Sequence, residues 1–173
     1  YEVLTFSTYP LVTHACDARA RKAGRVYLAT LVGASLVLFL PGIIGVQIAA
    51  GSTAFMPGGL LDGKVSEGVG NALLLLLVFG SAKAALMPLH GWLPRAMVAP
   101  APVSALLHAV AVVKAGVFVI LKVSAYIFGP DLISALPAAT WLLWVAAGSI
   151  IVASLVAMTK DDLKSRLAWS TVG

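Results

Sequence analysis

Charge is what this sequence has least of. Seven Asp and Glu and twelve Lys and Arg make 11% of 173 residues charged, against 60% hydrophobic, and the mean hydropathy is +0.98. A soluble domain draws roughly a quarter of its residues from charged types and needs them to cover its exterior. The scarcity excludes a soluble domain, a disordered chain and a nucleic-acid-binding module, and leaves a chain whose solvent is the lipid bilayer. One cysteine, Cys16, excludes an internal disulfide, and at a helix end it reads as a small apolar residue. Three scattered histidines give neither metal-ligand spacing nor a haem pair. There is no phosphate-cradling glycine loop and no nucleophile–histidine–acid set. No metal, cofactor or catalytic residue is therefore expected, and any redox chemistry would belong to partners.

Long apolar runs are abundant instead. Tyr1 to His14 reads as the tail of one helix. Val26–Ala50, Gly70–Pro88, Val103–Lys122 and Pro137–Met158 are each long enough to cross a bilayer, and a sixth segment starts after Lys160. Lipid demands internally bonded backbone, and runs of this length without alternation exclude barrel strands. The expected fold is all-α, a polytopic transmembrane helix bundle, with residues 1–173 forming one domain of about six helices. Residue 1 is Tyr, inside an apolar stretch without a basic leader, and the last helix has barely begun at Gly173, so the chain reads as an internal fragment.

The loops set an orientation. Arg19, Arg21, Lys22, Arg25, Arg95, Lys160, Lys164 and Arg166 occupy the odd loops, whereas the even loops and their edges hold only Lys64 and Lys122. Excess Lys and Arg mark cytoplasmic loops, which places the odd ones in the cytoplasm of a cell whose plasma membrane the chain crosses several times. Lys122 ends its segment and can snorkel. Trp92, Trp141, Trp144 and Trp169 lie near segment ends as interface anchors.

Two lysines remain inside predicted helices, Lys83 and Lys114. A lysine at the bilayer centre costs about 2.5–3.5 kcal/mol on insertion scales and marks a functional site by default. Glu2 is the one acid at membrane depth, on a segment of the same direction as that of Lys83, so the two can meet. Burial disfavours the charged form of either group and an opposite charge restores it, so such a pair can change protonation when one partner shifts. Pro88 would clash with the carbonyl of Ala84 and break the helix one residue from Lys83, as in ion transporters with interrupted helices. His108 lies six residues before Lys114, about 9 Å of rise and about 600° of rotation; water could bridge them, or His108 could simply bond Ser104. The competing reading is a static ion pair that staples helices.

The stretch from Lys83 through PLHGWLP (88–94) and APVSALLHA (101–109) to Lys114 resembles the central signature of antiporter-like proton-translocating subunits. These belong to respiratory complex I (NADH-quinone oxidoreductase subunits L, M and N), Mrp-type cation/proton antiporters and membrane-bound hydrogenases. DLKSRLAWST (162–171) is similar to the family's link into a later helix, and YEVLTFSTYPLVTH (1–14) is closer to the Mrp D-type subunit. The resemblance implies a fragment of an inverted-repeat fold with a broken helix at Lys83. It also implies a proton path through Glu2, Lys83, His108 and Lys114. The chain would serve a multisubunit Na⁺ or K⁺/proton antiporter, with other membrane subunits as partners; the alternative is the proton-pumping subunit of complex I or of a hydrogenase.

Overall fold

In the computed structural model, which describes residues 1–107 and 111–173, every regular element is helical. Helix α1 (Glu2–Val12) is followed by a continuous helix, Ala18–Ala50. This comprises α2 (Ala18–Ala34), a π turn (Ser35–Phe39) and α3 (Leu40–Ala50). After a long loop come α4 (Glu67–Gly80), 3₁₀ turns at Ala82–Ala84 and Leu89–Gly91, α5 (Trp92–Ala96) and α6 (Ala101–Ala105). Helix α7 (Val112–Lys122) runs on as a π turn (Val123–Phe128). Then follow α8 (Pro130–Ala135), α9 (Pro137–Met158) and α10 (Leu163–Val172).

The fifth apolar segment coincides with α9, and the other boundaries move for identifiable reasons. The second helix begins at Ala18, eight residues before Val26, because the Asp17 carboxylate accepts from the Ala20 N–H and so caps an orphan donor. The first turns of α2 therefore carry Arg19, Arg21, Lys22 and Arg25. Lys122 does not end its helix, which continues through Phe128. The carbonyls of Tyr126 and Ile127, in the last turn and so without intrahelical partners, accept from Leu60 and Leu61 N–H at 3.1 and 2.9 Å and fix the long loop. The Lys122 ammonium lies over the Phe55 ring, 4.5 Å from its centroid. Asp162 caps α10, accepting from Ser165 N–H at 3.0 Å. That bond, with a second from the Ser165 hydroxyl, holds its carboxyl below the usual aspartate range.

The interior divides into two clusters. Tyr27, Leu31, Trp92, Leu93, Leu107 and Ala153 pack among α1, α2, α5, α9 and α10. Leu61, Leu74, Leu77, Val123, Ile127 and Phe128 pack among α3, α4 and the turn after α7. Trp92 belongs to the first cluster and is fully buried, so it is no interface anchor; Trp141 and Trp144 are exposed. Cys16 is also exposed, in a left-handed turn with φ 55°, rather than packed as an apolar residue. Outward faces carry Val3, Ile48, Leu143, Ile151 and Met158, as lipid or further protein requires.

Helix α4 stops at Gly80, well before Pro88. The expected break at Ala84 is thus displaced upstream: Ser81 and Ala85 leave the helical region, so the Ala84 carbonyl has no helical ladder for Pro88 to disrupt. Two glycines let neighbours approach the interrupted segment. A Cβ on Gly80 would collide with the Phe39 backbone, and one on Gly116 with the backbone of Lys83 and Ala84. Gly116→Val should therefore push α7 off the interrupted segment and lower stability by about 1–3 kcal/mol or more. Thermal unfolding of the full-length protein in detergent measures this, and an unchanged midpoint would refute the close approach.

Candidate functional site

The interrupted segment carries Lys83 into the interior. Its side chain is 1% exposed, and its ammonium donates to Glu2 Oε1 at 2.7 Å. A buried ammonium needs a counter-charge and satisfied hydrogens. The same carboxylate oxygen accepts from the Ser35 hydroxyl, and the ammonium sits 3.4 Å from the centroid of the Tyr1 ring, a cation–π contact. Tyr1 stacks on Phe39, with centroids 5.4 Å apart. Ser35 and Phe39, four residues apart at the two ends of the π turn, thus serve one site: Ser35 orients the carboxylate and Phe39 the aromatic face.

The turn itself is held from the other side. Ser81 Oγ donates to the Leu77 carbonyl at 2.9 Å, and Trp92 Nε1 to the Ala82 carbonyl at 3.0 Å. Each carbonyl also accepts a backbone N–H, from Ser81 and Ala85 respectively, so the hydroxyl and the indole add a second bond at the broken end of α4. Tyr27 packs edge-on against Trp92 at 5.4 Å. The turn that carries Lys83 is therefore clamped by a core tryptophan.

Of the four residues assigned to a proton path by sequence, the structure brings Glu2 and Lys83 together. Lys114 is not buried with them. It is exposed and opens onto a groove of about 620 Å³ that Ser104, Lys164 and Thr171 also line. Gly116, two residues on, faces the Lys83 turn, and residues two apart on a helix point to different sides; Lys114 accordingly looks away. His108 lies outside the described residues. Pro88 sits between the two 3₁₀ turns, at the C-terminal end of the interruption. His90 is half-buried, with its ring 5.2 Å from that of Trp169. Sequence reasoning missed Tyr1 and Ser35: nothing in a tyrosine beside an acid or a mid-helix serine marks them until the π turn and the packing of α1 are known. Among the described residues, no three His, Cys, Asp or Glu side chains gather as a metal site.

All of residues 1–173 match the family described as "NADH:quinone oxidoreductase/Mrp antiporter, TM". The chain belongs to that family. It is a membrane-embedded, multi-pass chain of that type. It is 36% identical to hydrogenase-4 component B of Escherichia coli K12, over 99% of this chain and 25% of the relative. It is 34% identical to NAD(P)H-quinone oxidoreductase chain 5 of Synechocystis sp. PCC 6803, over 99% and 26%. With a probable K⁺/H⁺ antiporter component of Rhizobium meliloti it shares 33%, over 90% and 15%. A chain in the structure of the Mrp complex from Dietzia sp. DQ12-45-1b superposes with a TM-score of 0.82 at 28% identity, covering 99% of this chain and 18% of that one. The chain thus spans about a quarter or less of these relatives.

A buried pair of this kind is worth most when both partners are present. Glu2→Gln, which leaves the buried Lys83 charge unpaired, should destabilise the full-length protein by about 3–5 kcal/mol, and Lys83→Met by less, because Glu2 is 26% exposed. The double variant should lose less than the two single losses combined. Denaturation of all four proteins closes the cycle; strictly additive losses would show that the two groups do not interact.

Proposed function

We propose that this chain is the part of a proton-translocating subunit in which a buried Glu2–Lys83 pair takes up and passes on protons, within a multisubunit Na⁺ or K⁺/proton antiporter. The observation that carries this reading is the wholly buried ammonium at a helix interruption, neutralised by a single carboxylate. Protonating Glu2 removes the charge that holds Lys83, so the pair has two states that differ by one proton. His108 and Lys114 would continue the path, and the remaining helices of the longer protein would enclose the groove that Lys114 faces. Other membrane subunits would be its partners, and the plasma membrane its location, with the basic first turns of α2 in the cytoplasm.

The alternative keeps the site and changes the driver, with electron transfer in partner subunits supplying the energy. It is favoured by the likeness to hydrogenase-4 component B and quinone oxidoreductase chain 5. The antiporter reading is favoured by the Rhizobium relative and the match to the Mrp complex.

Everted vesicles holding the full-length complex and no other antiporter, energised and then given Na⁺ or K⁺, test the reading. Cation-dependent collapse of the pH gradient is expected in wild type and not in Lys83→Ala. A wild type indifferent to both cations, but acidifying the vesicle lumen with an electron donor, would move the assignment to the redox-driven pump. Collapse that survives in Lys83→Ala would make the pair a structural staple.

Orientation has its own check. With the longer protein's other cysteines replaced, exposed Cys16 should react with a membrane-impermeant maleimide in everted vesicles but not in sealed right-side-out ones. The opposite pattern would invert the topology.

A further inference from the structure

Helix α1 carries a file of buried oxygens on the side facing α2. Glu2, Thr5 and Thr8 are spaced three apart, so each step rises about 4.5 Å and stays on one slowly winding face. Thr5 and Thr8 are 0% and 3% exposed. The Thr8 hydroxyl lies 2.7 Å from the Leu4 carbonyl and 2.6 Å from the Tyr27 hydroxyl. With Thr8 donating to Leu4, Tyr27 donates to Thr8. Tyr27 is fully buried, its ring set by Trp92. Above it, Thr5 Oγ1 and the second carboxylate oxygen, Glu2 Oε2, are buried without a hydrogen bond of full geometry to the protein, and the Thr5 hydroxyl lies beside the Glu2 carboxylate. Buried polar atoms of native proteins nearly always have a partner, often an internal water. Here a donor and an acceptor stand one turn apart, and a water in contact with both would complete their bonding. At the other end, beside the C-terminal part of α1 and the first turns of α2, a depression of about 410 Å³ is lined by Tyr9, Ala18, Arg21 and Arg25; Tyr27 does not line it, so water has to join the depression to its hydroxyl.

We propose that this file is the cytoplasmic proton-uptake route to the Glu2–Lys83 pair: Tyr27, Thr8 and Thr5 pass the proton, with a water joining Thr5 to Glu2 Oε2. The proposal rests on the proton-translocating reading above. The transfer balances without any other reactant. A proton carried by water from the arginine-lined depression inward to Tyr27 bonds to its oxygen as the original Tyr27 proton moves to Thr8. Thr8 gives up its own to Thr5, across a further water where the oxygens are too far apart. Thr5 passes one to the bridging water, and that water gives one to the Glu2 carboxylate. Each hydroxyl ends with one proton, and rotation about its C–O bond resets it. The competing account is that the hydroxyls merely satisfy one another inside the bundle.

Thr5→Val, Thr8→Val and Tyr27→Phe each delete one oxygen and keep the side chain's shape. In everted vesicles of the full-length complex, with the cation or electron donor that moves protons in wild type, each should slow proton movement about tenfold, the rate ratio that matches one hydrogen bond's net worth. The solvent deuterium isotope effect should rise as uptake becomes limiting, and Thr5→Ser, which restores the oxygen but not the methyl group, should recover the rate. Rates are expressed per assembled complex, so poor assembly is separated from slow transfer. Lys83→Ala runs alongside. If it is inactive while the three hydroxyl variants keep the wild-type rate and isotope effect, the route is wrong and the pair's role stands. If Lys83→Ala keeps the wild-type rate, the translocating reading itself fails, and the route with it. Slowing that Thr5→Ser does not relieve, without a change in isotope effect, assigns Thr5 to packing and overturns the route.

Discussion

An ammonium group buried among helices is the constraint from which the rest of this structure follows. Lys83 cannot be neutralised by solvent, so protein groups must come to it. The helix that carries it ends at Gly80 and re-forms as a 3₁₀ turn, which turns the side chain inward toward α1. The Ser81 hydroxyl and the indole of Trp92 brace that interruption with added bonds to the Leu77 and Ala82 carbonyls. Neighbouring backbones then close in where Gly80 and Gly116 lack a side chain. The π turn in the second long helix belongs to the same arrangement, since its two ends supply the serine on the carboxylate and the aromatic under Tyr1.

The site is asymmetric in a way that suits exchange of a proton. Lys83 and Ser35 share one oxygen of Glu2, and the other oxygen, with the Thr5 hydroxyl nearby, lacks a full hydrogen bond from the protein. A proton arriving at that second oxygen would remove the carboxylate's charge without breaking either existing contact. The Tyr1 face attracts the ammonium whatever the state of Glu2, so the lysine would stay near its place while its electrostatic hold weakens.

Hydropathy made the helical character and the segment order legible, and charge counting singled out Glu2 and Lys83 as the pair that could meet. Local chemistry set the edges. Asp17 extends α2 backwards through four basic residues, and the turn at Val123–Phe128 extends the helix past Lys122. A proline five residues after Lys83 signalled an interruption but misplaced its start, because the helix is already over at Gly80. Trp92 looked interfacial from its position near a segment end, whereas tertiary packing makes it the floor of the Lys83 turn. Tyr1 and Ser35 gave no signal, since their roles arise from contacts between elements far apart in sequence.

Lys114 shows why the pair cannot act on its neighbour by touch. Helix α7 meets the Lys83 turn through Gly116 and presents Lys114 away from it, to an open groove. Between the two ammonium groups stands the thickness of one helix, about 10 Å across. That is close to a Debye length at physiological ionic strength, and the intervening protein screens less than water does. A change of charge at Glu2–Lys83 would therefore reach Lys114 as a field through α7, not as a rearranged hydrogen bond. On that reading, the closeness that Gly116 permits would set how strongly the field is felt. A side chain there would weaken coupling by separating the elements before it touched either charged group.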